Sequence, residues 1–131
     1  MATISAQIFF GSEDALSYPV SISASFTGPV DSGHTIRTKV LGTAQGSDAV
    51  TVSKANDKLS VAYLFVKNMD REKEKYIYLY TGSTNIAKIG GGEAIMLPVV
   101  PDADFKVYAT EAAQIIEYAV FGMDNTTAKL G

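Results

Sequence analysis

The chain has 131 residues, the size of one domain with a substantial hydrophobic core. With 47% hydrophobic and 19% charged residues, the composition excludes intrinsic disorder, and a formal net charge of −3 does not favour nucleic-acid binding. The sequence contains no cysteine and a single histidine, which excludes disulfides, thiolate catalysis and any site built on two imidazoles.

The first half of the chain shows the two-residue alternation that is typical of β-strands. Residues 3–10 are compatible with a strand. Residues 20–27 alternate apolar side chains with Ser and Thr, which predicts a strand with one buried face and one wet face. Gly28-Pro29 is expected to end it. Two further strands are predicted at 36–41 and 49–53, with His34 in the loop before the first of them.

The second half contains the strongest strand signals. Residues 59–67 are apolar on both faces, which is typical of a central strand, and a charged connection at 70–75 leads to a strand at 76–80. We expect these two strands to form a hairpin with a solvated tip. Gly90-Gly91-Gly92 predicts a tight turn that needs positive φ. The remaining strands are predicted at 84–89, 93–99, 105–109 and 115–121, and the tail 123–131 is expected to be frayed.

These segments together predict an all-β fold. We expect a single-domain antiparallel β-sandwich or a jelly-roll-like barrel over residues 1–131, with about 8–10 short strands. Little or no helix is expected, at most one turn at 110–114 and another at 12–14. No linker divides the chain.

No set of residues predicts catalysis or cofactor binding. His34 shares one predicted loop with Asp31 and Ser32, whereas a catalytic triad needs its members aligned on a rigid frame. Asp102 and Asp104 stand two residues apart before a strand, a spacing that favours a plain turn over a cation site or an acid–base pair. We therefore expect no enzyme, no cofactor and no metal site.

Three tyrosines are the strongest candidate for a functional surface. Tyr76, Tyr78 and Tyr80 are predicted to project from one face of a strand, opposite Ile77 and Leu79. Tyrosine is enriched in protein interfaces because it combines apolar area with a hydroxyl group. The alternatives are packing beneath a loop or a neighbouring strand, and stacking on a sugar.

The segment from 59 to 121 resembles a group of small structural proteins of tailed-bacteriophage virions. The shared features are a strand that ends in Lys-Asn-x-Asp, a Gly-Glu before an apolar strand, a Tyr-Ala turn and a closing Ile-Glu-Tyr strand. In this sequence they fall at Lys67-Asn68-x-Asp70, Gly92-Glu93, Tyr108-Ala109 and Ile116-Glu117-Tyr118.

The resemblance implies a non-enzymatic virion protein, most simply a capsid decoration (cement) protein that is assembled in the host cytoplasm and clamps the shell. Its partners would be the major capsid protein or another virion protein, and further copies of itself. A homo-oligomer is implied, with a trimer as the guess, and neither nucleic acid nor membrane is expected as a partner. A neck, tail or fibre-associated protein is the alternative, and a carbohydrate-binding β-sandwich module is a more distant one.

Overall fold

The computed structural model describes residues 2–14, 16–30, 32–46, 48–56 and 59–124. No part of the chain that it describes is helical. The strands are β1 (Ala2–Ser12), β2 (Val20–Val30), β3 (Ser32–Val40), β4 (Val50–Ser53), β5 (Leu59–Asn68), β6 (Ile77–Thr81), β7 (Thr84–Ile89), β8 (Ala94–Val99), β9 (Phe105–Ala109) and β10 (Gln114–Asp124).

Contacts divide the chain into two compact units, Met1–Asp31 and Ser32–Gly131. The first unit is the antiparallel hairpin of β1 and β2, with Ala2 opposite Val30 and Ser12 opposite Val20. The prediction that Gly28-Pro29 ends the second strand was wrong, because Pro29 pairs with Thr3. A proline is tolerated there since each strand of a two-stranded ribbon has one side without a ladder partner. That residues 1–131 form one domain stays a prediction.

The second unit is a β-sandwich of two four-stranded antiparallel sheets, which confirms the predicted fold class. We call them sheet B, with strand order β3-β10-β5-β8, and sheet C, with order β4-β9-β6-β7. Their inner faces meet in one core, as expected for face-to-face sheets. The core comprises Val40, Val52, Leu64, Val66, Ile77, Leu79, Ile89, Phe105, Val107, Ala109, Ile116 and Tyr118.

The predicted hairpin of β5 and β6 was wrong. β5 lies at the centre of sheet B between β10 and β8, whereas β6 lies in sheet C between β9 and β7. The charged segment 70–75 therefore crosses from one sheet to the other. Sequence alternation identified both strands correctly but carries no information on which neighbour each strand pairs with.

Two buried amides hold this crossing segment. Asn68 is fully buried at the end of β5, and its Nδ2 donates to the carbonyl oxygens of Lys75 at 2.7 Å and Ile89 at 3.0 Å. Its Oδ1 accepts from the N–H of Asp70 at 3.1 Å. Gln114 Nε2 donates to the same Lys75 carbonyl at 3.1 Å. The crossing segment is thus anchored at both ends by side chains that replace lost ladder hydrogen bonds.

The glycine turn packs against that segment. Gly92 has φ of 82°, which confirms the predicted positive φ. Gly91 is required for a different reason, because a Cβ at that position would collide with the carbonyl oxygen of Glu72. The turn connects β7 in sheet C with β8 in sheet B, so both crossings lie side by side.

Three local predictions are corrected. His34 lies within β3 rather than in a loop, since the strand begins at Ser32 and pairs His34 with Val120. Met123 is a buried member of β10, so the strand extends into the predicted tail, and residues 125–131 lie outside the described residues. The predicted turn of helix at 110–114 is instead a tight turn in which Ala113 has φ of 68°.

Candidate functional site

The three predicted tyrosines lie on the outward face of sheet C. Tyr78 and Tyr80 belong to β6, and Tyr76 directly precedes it. The strand alternates as predicted, because Ile77 and Leu79 are fully buried in the core. A fourth tyrosine, Tyr108 of β9, pairs directly opposite Tyr78 and joins this tyrosine face, which consists of Tyr76, Tyr78, Tyr80 and Tyr108.

The members of the tyrosine face differ in accessibility. Tyr80 is only 4% exposed, and its hydroxyl accepts a hydrogen bond from the N–H of Gly46 at 3.3 Å. Tyr80 therefore packs beneath a loop, the structural alternative weighed from the sequence. Tyr76 and Tyr78 remain half-buried and are open to a partner.

Contacts within the chain already engage the aromatic ring faces. The rings of Tyr78 and Tyr108 stack with centroids 5.0 Å apart and an interplanar angle of 17°. Lys88 Nζ lies 4.1 Å above the ring centroid of Tyr76. Asn85 Nδ2 donates to the hydroxyl of Tyr108 at 2.9 Å. A sugar platform needs an open ring face, so this arrangement favours contact through ring edges and hydroxyls, as in protein interfaces.

The predicted charged connection also has a structural role. Lys75 Nζ lies 3.6 Å from a carboxylate oxygen of Glu111 and 3.9 Å from one of Glu72. The carboxylates of Glu72, Asp70 and Glu111, in that order of effect, raise the pKa of Lys75 above its usual value. The carboxylates of Glu72 and Glu111 are exposed, so these ion pairs stabilise the crossing segment only weakly.

The hairpin presents a second surface, which the sequence analysis did not identify. Alternation along its register places apolar residues on one side of the ribbon, and we call seven of them the apolar hairpin face. The opposite side is formed mainly by Ser, Thr and Gln, with Phe9 as an exposed apolar exception. The members of the apolar hairpin face are Ile4, Ala6, Ile8 and Phe10 of β1 and Ile22, Ala24 and Phe26 of β2.

The tip half of the apolar hairpin face is open to solvent. Ile8 is 50% exposed, Phe10 67% and Ile22 60%. The strand at 20–27 was predicted to bury this side, and that part of the prediction was wrong. A two-stranded ribbon has no second layer of its own, so an amphipathic hairpin cannot cover its own apolar side.

A compositional signal would have identified the hairpin. Neither 11-residue strand contains a charged side chain. All 11 Lys and Arg residues lie after residue 31, and the acidic residues among the first 31 are Glu13, Asp14 and Asp31. A solvent-exposed strand normally carries Lys or Glu to prevent association, so a long uncharged ribbon indicates a contact surface.

The outward face of sheet B carries a third, smaller apolar group. Phe65, Met96 and Phe121 are half-buried there on β5, β8 and β10. Phe121 lies over Gly33, where a Cβ would collide with its ring. Toward the other end of the same face, Arg37 Nη2 pairs with a carboxylate oxygen of Glu117 at 3.0 Å.

The remaining polar candidates stabilise turns and strand ends. Asp104 Oδ1 accepts a hydrogen bond from the N–H of Ala55 at 2.7 Å, so this carboxylate fastens two segments of the chain. Its neighbour Asp102 is exposed. His34 lies with its ring edge-on to Tyr118, with centroids 6.1 Å apart. Within the described ranges, no three His, Cys, Asp or Glu side chains are grouped to hold a metal ion.

Comparison with known proteins assigns no family to the chain. No protein-family model and no curated protein matches it. The residues that the structure describes include no helix of a length and hydropathy that could cross a membrane. The chemistry of the tyrosine face and of the apolar hairpin face is therefore the basis for a functional assignment.

Proposed function

We propose that this protein is a non-enzymatic structural component of a phage particle, most simply a capsid decoration protein. The observation that carries the proposal is the apolar hairpin face, an uncharged surface on which Ile8, Phe10 and Ile22 are half or more exposed. Such a surface is built to be covered by protein. The resemblance of residues 59–121 to phage virion proteins supplies the setting, and location in the virion after cytoplasmic assembly belongs to the proposal.

The proposed mechanism is stabilisation by mass action. A protein that binds only the assembled shell lowers the free energy of that state and so opposes disassembly. The partners are the major capsid protein, or another virion protein, and further copies of this chain. The tyrosine face supports a shell contact, because Tyr76 and Tyr78 offer ring edges and hydroxyls on a rigid sheet.

The copy number of the protein tests its place in the particle. Quantitative mass spectrometry of purified particles measures this chain against the major capsid protein. Rough parity, or a simple fraction of it, is the expected result for a shell-covering protein. A few copies per particle would favour the alternative of a neck, tail or fibre-associated protein, and complete absence would refute the virion assignment.

A substitution in the tyrosine face tests the shell contact. Tyr78→Ala removes a half-buried ring from the Tyr78–Tyr108 stack, and we expect weaker binding to shells at moderate salt. Thr35→Ala, at an exposed position on β3 of the other sheet, is the matched control. Both variants are compared with wild type by thermal unfolding. Undiminished shell binding by a folded Tyr78→Ala protein would exclude the tyrosine face as the contact.

A further inference from the structure

We infer that the apolar hairpin face docks against the same face of a second copy of this chain, about a two-fold axis that runs along the strands. The inference deepens the proposed function, on which it rests only for its biological setting. Its physical basis lies in the hairpin itself. Phe10 and Ile22 are the most exposed large side chains of the face, and both lie toward the tip of the hairpin.

The register makes the face complementary to itself. Ile8 lies opposite Ala24 and Ala6 lies opposite Phe26, so a large side chain is paired with a small one at these two levels of the hairpin. An axis along the strands places β1 of one copy over β2 of the other at the same level. Ile8 then faces Ala24 of the second copy and Ala6 faces its Phe26, so that large meets small at these two levels. At the tip, Phe10 faces Ile22 of the second copy, where two large side chains meet.

The width of the ribbon favours two copies over three. Two strands about 4.8 Å apart give a face about 10 Å wide, and packed sheets lie about 10 Å apart. Two such faces cover each other completely. In a trimer, three such faces would surround the axis as a triangular prism. Each face would lie about 5 Å from the axis and would have to be about 17 Å wide to meet its neighbours. The hairpin is too narrow for that, which sets this contact apart from the trimer implied by the resemblance.

The area of the face sets the expected strength. An 11-residue strand is about 36 Å long, so each ribbon presents about 360 Å² in projection. Two such faces bury an accessible area near or below the 1,000–1,200 Å² that separates stable interfaces from transient ones. We therefore expect a dimer with a Kd of about micromolar size. On a repetitive surface, where copies are held close together, such a contact is strong enough to be occupied.

The lack of charge on the apolar hairpin face favours a second copy over a nucleic acid or an anionic lipid as its partner. Neither strand offers a Lys or Arg to a nucleic acid or an anionic lipid, and the tip carries the carboxylates of Glu13 and Asp14. An identical uncharged ribbon pays no penalty for unpaired charge along its length. The strand-parallel axis brings the two tips together, so added salt should strengthen association by screening these carboxylates. An axis across the strands would separate the tips and predicts no such effect.

The first experiment compares two substitutions on adjacent residues of β1. Ile8→Asp places a charge in the proposed contact, whereas Gln7→Asp places the same charge on the opposite, exposed side. Sedimentation equilibrium of the purified full chain is measured across micromolar concentrations. We expect wild type and Gln7→Asp to dimerise alike and Ile8→Asp to dimerise at least about tenfold more weakly.

The second experiment tests the facing pair directly. Ile8→Ala dimers would have two cavities and Ala24→Ile dimers two overfilled contacts, but a mixed dimer matches Ala with Ile at one contact and keeps the native match at the other. Native mass spectrometry of an equimolar mixture resolves the three species by mass. Random mixing gives equal amounts of the mixed dimer and of the two homodimers together, and we expect the mixed dimer to exceed the homodimers by several-fold. Each chain keeps one native residue of the pair, so both variants remain amphipathic.

Specific results would overturn the inference. A monomer at all concentrations, a trimer, an oligomer that Ile8→Asp leaves intact, or random mixing of the two variants would each do so. Flotation of monomeric wild type with neutral or anionic vesicles would assign the face to lipid instead. None of these results depends on phage particles, so failure here is distinguishable from failure of the proposed function, which the copy number in particles decides.

Discussion

The sandwich and the hairpin contrast in how completely each satisfies its own side chains. In the sandwich, Leu64 and Ile77 are fully buried between two sheets. No buried side-chain nitrogen or oxygen of the described residues lacks a hydrogen-bond partner. In the hairpin, the equivalent apolar positions are occupied by Ile8 and Phe10, which are 50% and 67% exposed. The sandwich closes its apolar side chains between two sheets of its own, whereas the hairpin is a single two-stranded layer whose apolar side has no second layer within that unit.

The largest expected difference in the free energy of unfolding is between matching truncations to alanine, one in the sandwich and one in the hairpin. Leu64→Ala removes side-chain volume from the closed core and should lower the free energy of unfolding by about 3 kcal/mol. Ile8→Ala should change the unfolding of the monomeric sandwich by less than about 0.5 kcal/mol, because the side chain is half exposed in the hairpin. Urea unfolding followed by far-UV circular dichroism at low protein concentration measures both. An equal loss of unfolding free energy in the two variants would contradict this contrast, because Ile8 would then be packed like a core residue.

The backbone of the sandwich should be as intolerant as its core. Gly91→Ala sets a methyl group against the carbonyl oxygen of Glu72, and we expect a loss of more than about 2 kcal/mol as the crossing segment shifts. Gly92→Ala is the control in the same turn. It meets no atom within 4 Å but places Ala at φ of 82°, which costs about 1 kcal/mol. Thermal unfolding ranks the two variants. If Gly92→Ala were the more destabilising one, the close approach of Gly91 to the Glu72 carbonyl oxygen would not be the main constraint on the turn.

The buried amide of Asn68 sharpens the contrast further. Asn68→Ala leaves the carbonyl oxygens of Lys75 and Ile89 without this donor, and we expect about 2 kcal/mol of destabilisation. Asn85→Ala, which removes an exposed amide, should cost less than about 0.5 kcal/mol. Chemical denaturation gives both values. Equal values would mean that water replaces the buried hydrogen bonds of Asn68.

The smallest effect is a dependence of stability on alkaline pH. Burial raises the pKa of Tyr118 above its usual 10.0, because the charged phenolate is poorly solvated in the core. The unfolded chain therefore ionises first, so this contribution to stability is complete below pH 10.0 and declines as pH rises through the folded pKa. Tyr118→Phe should make the decline above that pH shallower by less than about 1 kcal/mol. An unchanged slope would show that Tyr118 reaches solvent.

The sequence predicted the strands better than their partners. Alternation located β5 and β6 to within a residue or so, and it placed Ile77 and Leu79 in the core and Tyr78 outside. It did not show that these two strands lie in different sheets, because side-chain period is the same whichever neighbour a strand pairs with. Asn68, whose buried amide fixes the crossing, looks in the sequence like any polar residue at a strand end.

The candidate surfaces show the same limit. Spacing predicted that Tyr76, Tyr78 and Tyr80 share one face, but only the structure adds Tyr108 and shows that a loop covers Tyr80 while Tyr78 is half-buried. The hairpin was missed because alternation at 20–27 was interpreted as burial within the chain. Alternation predicts that one side of a strand is shielded from water. It does not show whether the same chain or another molecule shields that side. The absence of Lys, Arg and Glu along both strands was the additional signal.

The position of β10 determines when the sandwich can close during synthesis. β10 lies inside sheet B between β3 and β5, and it pairs Tyr118 with Ile36, far apart along the chain. Sheet B therefore cannot form until the ribosome has released almost all of the described chain, whereas β1 and β2 are neighbours in sequence and can pair within microseconds. The nascent chain thus displays its apolar hairpin face before it has a closed core.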